Sequence, residues 1–187
     1  MMMKKPREEH FELIFVGRGG QGVVTASRVL AEAALLEQKF VQSFPEFGPE
    51  RSGAPVKAYA RVASAPIEIR APVEKADATV FFESRLTQVF KPVDITHSGG
   101  VVVIGCREPS KLSVGDGLQV FTLDAQEIVT SLQRPLSLNM VMLGAVASAT
   151  GIVSLDSLKT AVGKKFSPVD LQALEQGFMK VVKHETG

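Results

Sequence analysis

Hydrophobic positions along the chain fall into short blocks separated by glycine, proline and polar punctuation. Phe11–Val16 (FELIFV) is nearly continuous in apolar residues and runs directly into glycine, the pattern of a strand buried on both faces of a parallel sheet. Val24, Val29, Leu30, Ala33, Ala34 and Leu36 then recur at helical spacing over Val23 to Glu37, and Lys39–Phe44 follows as a second strand, so the first 44 residues read as a β-α-β unit with a right-handed crossover. Phe44–Pro55 carries three prolines and two glycines and breaks the rhythm. Beyond it Val56–Val62 alternates, with Lys57, Tyr59 and Arg61 on the face expected to be half-exposed, and Ile67–Arg70 is expected to return as the second strand of a hairpin.

Alternation of strand and helix then resumes. Ala78–Phe82, Val101–Ile104 and Leu118–Leu123 are expected strands, and Ser84–Lys91 is expected as a short helix ended by Pro92. Asp124 is placed to cap a helix from Ala125 to Leu132, Ser154 one over Leu155–Phe166, and Ser167-Pro168 one over Val169–Lys183. Leu138–Ala149 is apolar on nearly all sides, which predicts a buried or interface helix. The sum is a three-layer, Rossmann-like α/β domain with a mostly parallel sheet and a β-hairpin after the second strand. It is divided into a flexible tail over residues 1–10 and a single α/β module over 11–187.

Composition narrows the chemistry. A net charge of +1 and the lack of tryptophan argue against nucleic acid, and no stretch approaches the roughly 20 apolar residues of a membrane span. The basic start is not followed by the apolar region of a secretory signal, so a cytoplasmic location is expected. One cysteine, Cys106, allows neither an internal disulfide nor an iron–sulfur cluster held by this chain alone, and it reads as a small buried hydrophobe. His10, His97 and His184 read as residues of a tail, a loop and a helix end, without metal-ligand spacing.

The candidate site is the turn after the first strand. Gly17, Gly19 and Gly22 have G-x-G-x-x-G spacing, with Gly20 and Gln21 inside it, and a strand–glycine–helix junction offers backbone N–H groups and a helix dipole to an anion. The acid that should end the second strand in a dinucleotide fold is missing at Gln42-Ser43-Phe44; Glu37 has about the right separation but precedes the strand. A tight turn and an anion site without a ribose clamp both stay open. Glu50-Arg51 offers a forked cation on a proline-stiffened loop, for a carboxylate or phosphate, or else a structural ion pair. Asn139 opens the apolar helix, where its amide either caps the helix or meets a ligand or partner.

Taken together, these blocks resemble a known family. Gly17-Arg18-Gly19-Gly20-Gln21-Gly22 with its small-residue helix resembles the opening of the gamma subunit of the 2-oxoacid:ferredoxin oxidoreductases. Phe47–Val62 (FGPERSGAPVKAYARV) resembles that family's second block in its pyruvate and branched-chain versions, and Asn139–Ala145 (NMVMLGA) lies near the expected place. The resemblance spans nearly the whole chain and departs at Leu171–Phe178, where the family often has an asparagine and this chain has none.

It implies a subunit of a pyruvate:ferredoxin oxidoreductase (pyruvate synthase), inactive alone. Its alpha, beta and delta partners would carry thiamine diphosphate, magnesium and iron–sulfur clusters, reduce ferredoxin and pass the acyl group to coenzyme A. No cofactor is expected on this chain alone. Gly17, Gly19, Gly20, Gln21, Gly22, Glu50, Arg51, Ser52, Gly53 and Asn139 are the residues expected at a cofactor or shared site. The alternatives are the small subunit of an indolepyruvate-type enzyme, a purely structural scaffold subunit, and an independent nucleotide-binding oxidoreductase, which the missing acid disfavours.

Overall fold

The strand that leads into the glycine turn lies inside the sheet, third of seven. In the computed structural model, which describes residues 10–46 and 53–184, β1 (His10–Arg18) has Leu13 to Val16 essentially unexposed. It is followed by α1 (Val23–Leu36), β2 (Phe40–Pro45), β3 (Pro55–Ala63) and β4 (Ala76–Phe81). The one-turn α2 (Pro92–Ile95) leads to β5 (Thr96–Gly105), β6 (Gln119–Leu123) and α3 (Ala125–Ser131). The chain closes with α4 (Leu138–Thr150), α5 (Leu155–Gly163), α6 (Pro168–Lys180) and β7 (Val182–His184).

Among the described residues the strands form one sheet in the order β2-β3-β1-β4-β5-β6-β7, and β3 and β7 run against the other five. The mostly parallel α/β sheet is therefore as the sequence predicts. The antiparallel insertion after the second strand is also present, but with a different partner. β3 pairs with β1 on one side and β2 on the other, whereas Ile67–Arg70 forms no strand. That segment is held by side chains instead. Gln42 Nε2 donates to the carbonyls of Ile67 (3.3 Å) and Ile69 (3.1 Å), and Arg61 Nη2 donates to that of Ala71 at 2.6 Å.

Arg61 is the largest correction to the alternation argument: it is only 2% exposed, not half-exposed. Its row across the sheet is Gln42–Arg61–Glu12, and the guanidinium donates to Glu12 Oε1 at 2.7 Å and to Gln42 Oε1 at 3.1 Å. A buried charge has to be paired and hydrogen-bonded in this way, because desolvation otherwise costs several kcal/mol. One row along, Phe44 stacks on Tyr59 at 5.2 Å, and the Tyr59 hydroxyl donates to Glu46. Burial first, and then the Glu46 carboxylate, push that phenol well above its ordinary pKa.

The remaining differences lie at element ends. The short helix expected from Ser84 is present as a 3-10 helix that stops at Gln88, and Pro92 starts α2 instead of ending its predecessor. His97 lies in β5, and His10 opens β1. The final helix stops at Lys180, and Val182–His184 pairs antiparallel with β6, with His184 Nε2 at 2.5 Å from Thr122 Oγ1. The caps fall where expected. Asp124, Ser154 and Ser167 each accept a hydrogen bond from a backbone N–H in the first helical turn, and Ser167 with Asp170 completes a capping box.

Helices and sheet bury their apolar residues unequally. One face of the sheet shares a large cluster with α1 and α3 to α6; the other is covered by short turns and loop residues such as Leu86, Val93 and Leu112. Helix α4 is buried from Leu138 to Ala147 and crosses α6 at two glycines. A Cβ on Gly144 or Gly177 would lie closer than 3.0 Å to the backbone of Leu174 or Val141. Replacing glycine by alanine in an open helix gains about 1 kcal/mol of propensity. Here the added methyl meets rigid backbone, so Gly177→Ala is expected to lower stability by about 2 kcal/mol, read from the urea midpoint.

Glu37 joins the end of α1 to the start of α5. Its carboxylate accepts from Lys39 Nζ and from the Ser154 N–H, both at 2.7 Å. Burial opposes ionisation there, but the hydrogen bonds from Lys39, Ser154 and Ser157 outweigh it and bring the pKa from 4.5 down to about 2. A carboxyl with a depressed folded-state pKa contributes stability above its unfolded value and loses it as pH falls through the folded one. The stability of the wild type is therefore expected to fall more steeply than that of Glu37→Gln between pH 4.5 and about 2 in paired denaturation curves.

Candidate functional site

Strand order decides where a ligand can approach. From β1 the chain passes outward through α1 to β2, and it later returns to the other side of β1 at β4, so the connections diverge at the carboxyl ends of β1 and β4. Open α/β sheets bind ligands at such a divergence. A crevice of about 660 Å³ lies there, lined by Gln21, Glu83, Arg85, Cys106, Arg107 and Asp124 among others.

The glycine turn reaches this crevice through Gln21, and Gly17 and Gly22 each have their own reason. A Cβ on Gly17 would fall within 3.3 Å of the Phe82 ring and closer still to Val23, so only glycine lets β1 pass into α1 at this point. Gly22 caps α1 in the left-handed region (φ 76°), and a Cβ there would lie 2.5 Å from Asn139 Nδ2. Helix α1 has no side-chain cap and no acidic residue in its first turn.

Gly53 sits against the same turn. The Gly19 N–H donates to the Ala54 carbonyl at 2.9 Å, the Gly53 N–H to the Gly19 carbonyl at 3.4 Å, and Arg18 Nη1 to the Gly53 carbonyl at 3.1 Å. The structure thus brings Gly17, Gly19, Gly20, Gln21, Gly22, Gly53 and Asn139 together at the carboxyl edge. Glu50, Arg51 and Ser52 lie outside the described residues.

Asn139 is 6% exposed and has partners at both ends of its amide. Oδ1 accepts from the Met140 N–H at 3.0 Å, and Nδ2 donates to the Gly22 carbonyl at 3.4 Å. Asn139 is therefore not the cap of α4, which starts after Ser137 without a side-chain capping bond; its amide instead joins the first turn of α4 to the end of the glycine turn. Behind it, Ser137 Oγ donates to Asp170 Oδ1 at 2.5 Å, tying the start of α4 to the start of α6. Burial disfavours the Asp170 carboxylate, but donation from Ser137 and Ser167 and the nearby Arg134 charge hold its pKa below the ordinary value.

Two residues gain a role that no motif signalled. Glu83 follows β4 and accepts from Arg18 Nε at 2.6 Å and from Gln21 Nε2 at 3.3 Å. Arg18 is inside the glycine block, yet its link to Glu83, 65 positions away, exists only once β1 and β4 pair. The ribose-clamp geometry of a dinucleotide fold is missing for a topological reason. β3 lies between β1 and β2, so Glu46, the first acid beyond β2, is a strand further from the turn and is engaged by Lys57 and Tyr59. Glu37 is held at the start of α5.

A glycine turn on an inner strand, with an antiparallel strand beside it and a crevice at the carboxyl edge, defines an α/β module without the ribose clamp of a free-standing dinucleotide domain. The model of the pyruvate ferredoxin/flavodoxin oxidoreductase family matches residues 12–179, and the chain belongs to that family. It is 39% identical over 186 residues to the pyruvate/ketoisovalerate oxidoreductases common subunit gamma of Thermococcus kodakarensis, covering 93% of this chain and 98% of that one. Among solved structures it is similar to the pyruvate oxidoreductase subunit PORC of Thermotoga maritima, with TM-score 0.79, 32% identity and coverage of 94% and 99%. The 2-oxoglutarate:ferredoxin oxidoreductase of Magnetococcus marinus, solved with 2-oxoglutarate, coenzyme A and succinyl-CoA, shares the fold at TM-score 0.76. It is 20% identical, over 90% of this chain and 30% of that one.

The contact between Gly22 and Asn139 is testable by a double-mutant cycle. Gly22→Ala is expected to lose about 1–3 kcal/mol through backbone strain and overlap with the Asn139 amide. In an Asn139→Ala background the same change is expected to cost clearly less, measured by chemical denaturation of the four proteins.

Proposed function

We propose that this chain is the gamma subunit of a multi-subunit pyruvate-type 2-oxoacid:ferredoxin oxidoreductase. The observation that carries the reading is the family match over residues 12–179, joined to relatives of nearly the same length that are gamma or PORC subunits. The complex would oxidise a 2-oxoacid and coenzyme A to acyl-CoA and carbon dioxide, passing two electrons to ferredoxin. The thiamine diphosphate, magnesium and iron–sulfur clusters would belong to the alpha, beta and delta partners, and the isolated chain would be inactive.

Within that complex the proposed role of this chain is to support the thiamine-binding subunits and to form one edge of the coenzyme A site. Gly19–Gly22 and Gly53 supply a rigid backbone wall at the carboxyl edge, and the adjoining Glu50-Arg51-Ser52 segment supplies a forked cation suited to a phosphate. The presence of coenzyme A in the structure of the Magnetococcus complex, which shares this fold, supports a site of that kind. No helix of the described residues is long and apolar enough to cross a membrane.

A second reading, a scaffold subunit without ligand contact, is favoured by one observation: the amides of Arg18, Gly19 and Gln21 all have partners within the chain. Kinetics of the full complex separate the two. With Arg51→Ala, loss of a charge-assisted hydrogen bond is expected to raise the coenzyme A KM by about tenfold or more with kcat largely kept. An unchanged KM in an assembled, active complex leaves the scaffold role.

A further inference from the structure

Two residues that line the crevice, Gln21 and Glu83, are tied to Arg18 by an ion pair internal to the chain. Glu83 Oε1 accepts from Arg18 Nε at 2.6 Å, and Oε2 accepts from Gln21 Nε2 at 3.3 Å. Gln21 Oε1 accepts in turn from the Arg18 N–H at 2.7 Å, and Arg18 Nη1 donates to the Gly53 carbonyl at 3.1 Å. A carboxylate from the end of β4 thus holds the one cationic side chain of the glycine block, next to a helix N-terminus that carries no cap and no acid of its own. A guanidinium has five N–H groups. Among the described residues Nε and Nη1 of Arg18 have partners and Nη2 has none.

We propose that Glu83 is an internal stand-in for the anionic group of a ligand: Arg18 takes a phosphate-class anion at the carboxyl edge by exchanging its Glu83 partner for it. Three features support the exchange. The pair is about one-third exposed on both sides (34% and 32%), so it is a bond that water and a competing anion can reach. A pair of that exposure contributes only about 0.2–1 kcal/mol, less than a forked, doubly charged phosphate contact supplies. The start of α1, where Gly22 provides no side-chain cap, adds a positive partial charge that favours the dianion.

Glu83 also explains how the arginine is kept in place without a ligand. Left unpaired beside a helix N-terminus, the guanidinium would be repelled from the turn; the carboxylate neutralises it, and the Gly53 carbonyl and Gln21 orient it. When the anion enters, Glu83 and the Gln21 amide are released together, because one carboxylate holds both. The inference rests on the reading of this edge as a ligand wall and identifies Arg18 as a cation of that wall.

The test is a titration of the full-length chain with inorganic pyrophosphate at constant ionic strength, followed through the Gly19, Gly20 and Gln21 amide resonances. The wild type is expected to bind. Glu83→Gln, which removes the competitor, is expected to bind about two- to fivefold tighter, and Arg18→Gln about tenfold weaker or not at all. Glu83→Asp, whose shorter arm reaches Arg18 poorly, gives the same direction if Glu83→Gln does not fold. A nucleoside diphosphate titrated in parallel separates a free pyrophosphate from one carried by a larger ligand, and exchange at either supports the proposal. Equal or weaker binding by the Glu83 variants, unchanged binding by Arg18→Gln, or no response in any protein overturns it. Co-purification with the partner subunits is scored separately: its loss removes the subunit reading, whereas a failed titration with intact co-purification removes the exchange alone.

Discussion

A helix that is apolar on every side must have a close neighbour on every side, and α4 imposes that constraint on the rest of the fold. Its ten consecutive buried residues leave no face for water. Wherever another backbone approaches it most closely, a glycine stands on one side of the contact. Gly144 and Gly177 let α4 and α6 cross with their backbones nearly touching, and Gly22 leaves room for the Asn139 side chain. Van der Waals attraction and area burial reward such an approach only when no Cβ intervenes. Helix packing and site geometry are therefore one problem here. Asn139 is located by the α4–α6 crossing, and the end of the glycine turn is located by Asn139.

The second organising feature is the antiparallel strand between β1 and β2. It removes the neighbour relation on which dinucleotide recognition depends and puts the start of β3 beside the glycine turn in place of the end of β2. The turn is then bounded by the segment that leads into β3, through the Gly19–Ala54 and Arg18–Gly53 bonds. A wall built this way cannot grip a ribose from β2, but it offers a stiff backbone edge to a ligand or chain arriving from outside.

Much of this was legible in the sequence where the signal was local. FELIFV marked an inner strand because it is nearly continuous in apolar residues, and Ser154, Ser167 and Asp124 marked helix starts because a cap acts within one turn. The unbroken apolar run of α4 announced its burial. The failures are non-local. Alternation placed Arg61 outward correctly with respect to the helical face, but the segment around Ala71 folds over the other face and buries it, which period-2 patterning cannot show. β7 is three residues long and continues a helix-like sequence; only its pairing with β6 makes it a strand. Glu83 belongs to no motif, and its partner is 65 positions away.

The candidate site shows the same division. Glycines are visible as residues, but what each one admits is a property of the neighbour: Phe82 at Gly17, Asn139 at Gly22. The turn reads as an anion nest while it is considered alone. In the fold, the Arg18, Gly19 and Gln21 amides are satisfied within the chain, so the backbone has fewer donors to offer than the motif suggests. Affinity for an anion must then depend on side-chain cations at the rim and on the dipole of α1, both of which act over longer range and are sensitive to what neutralises them. The Arg18–Glu83 pair is about one-third exposed, and such charges interact more strongly wherever the surrounding dielectric falls.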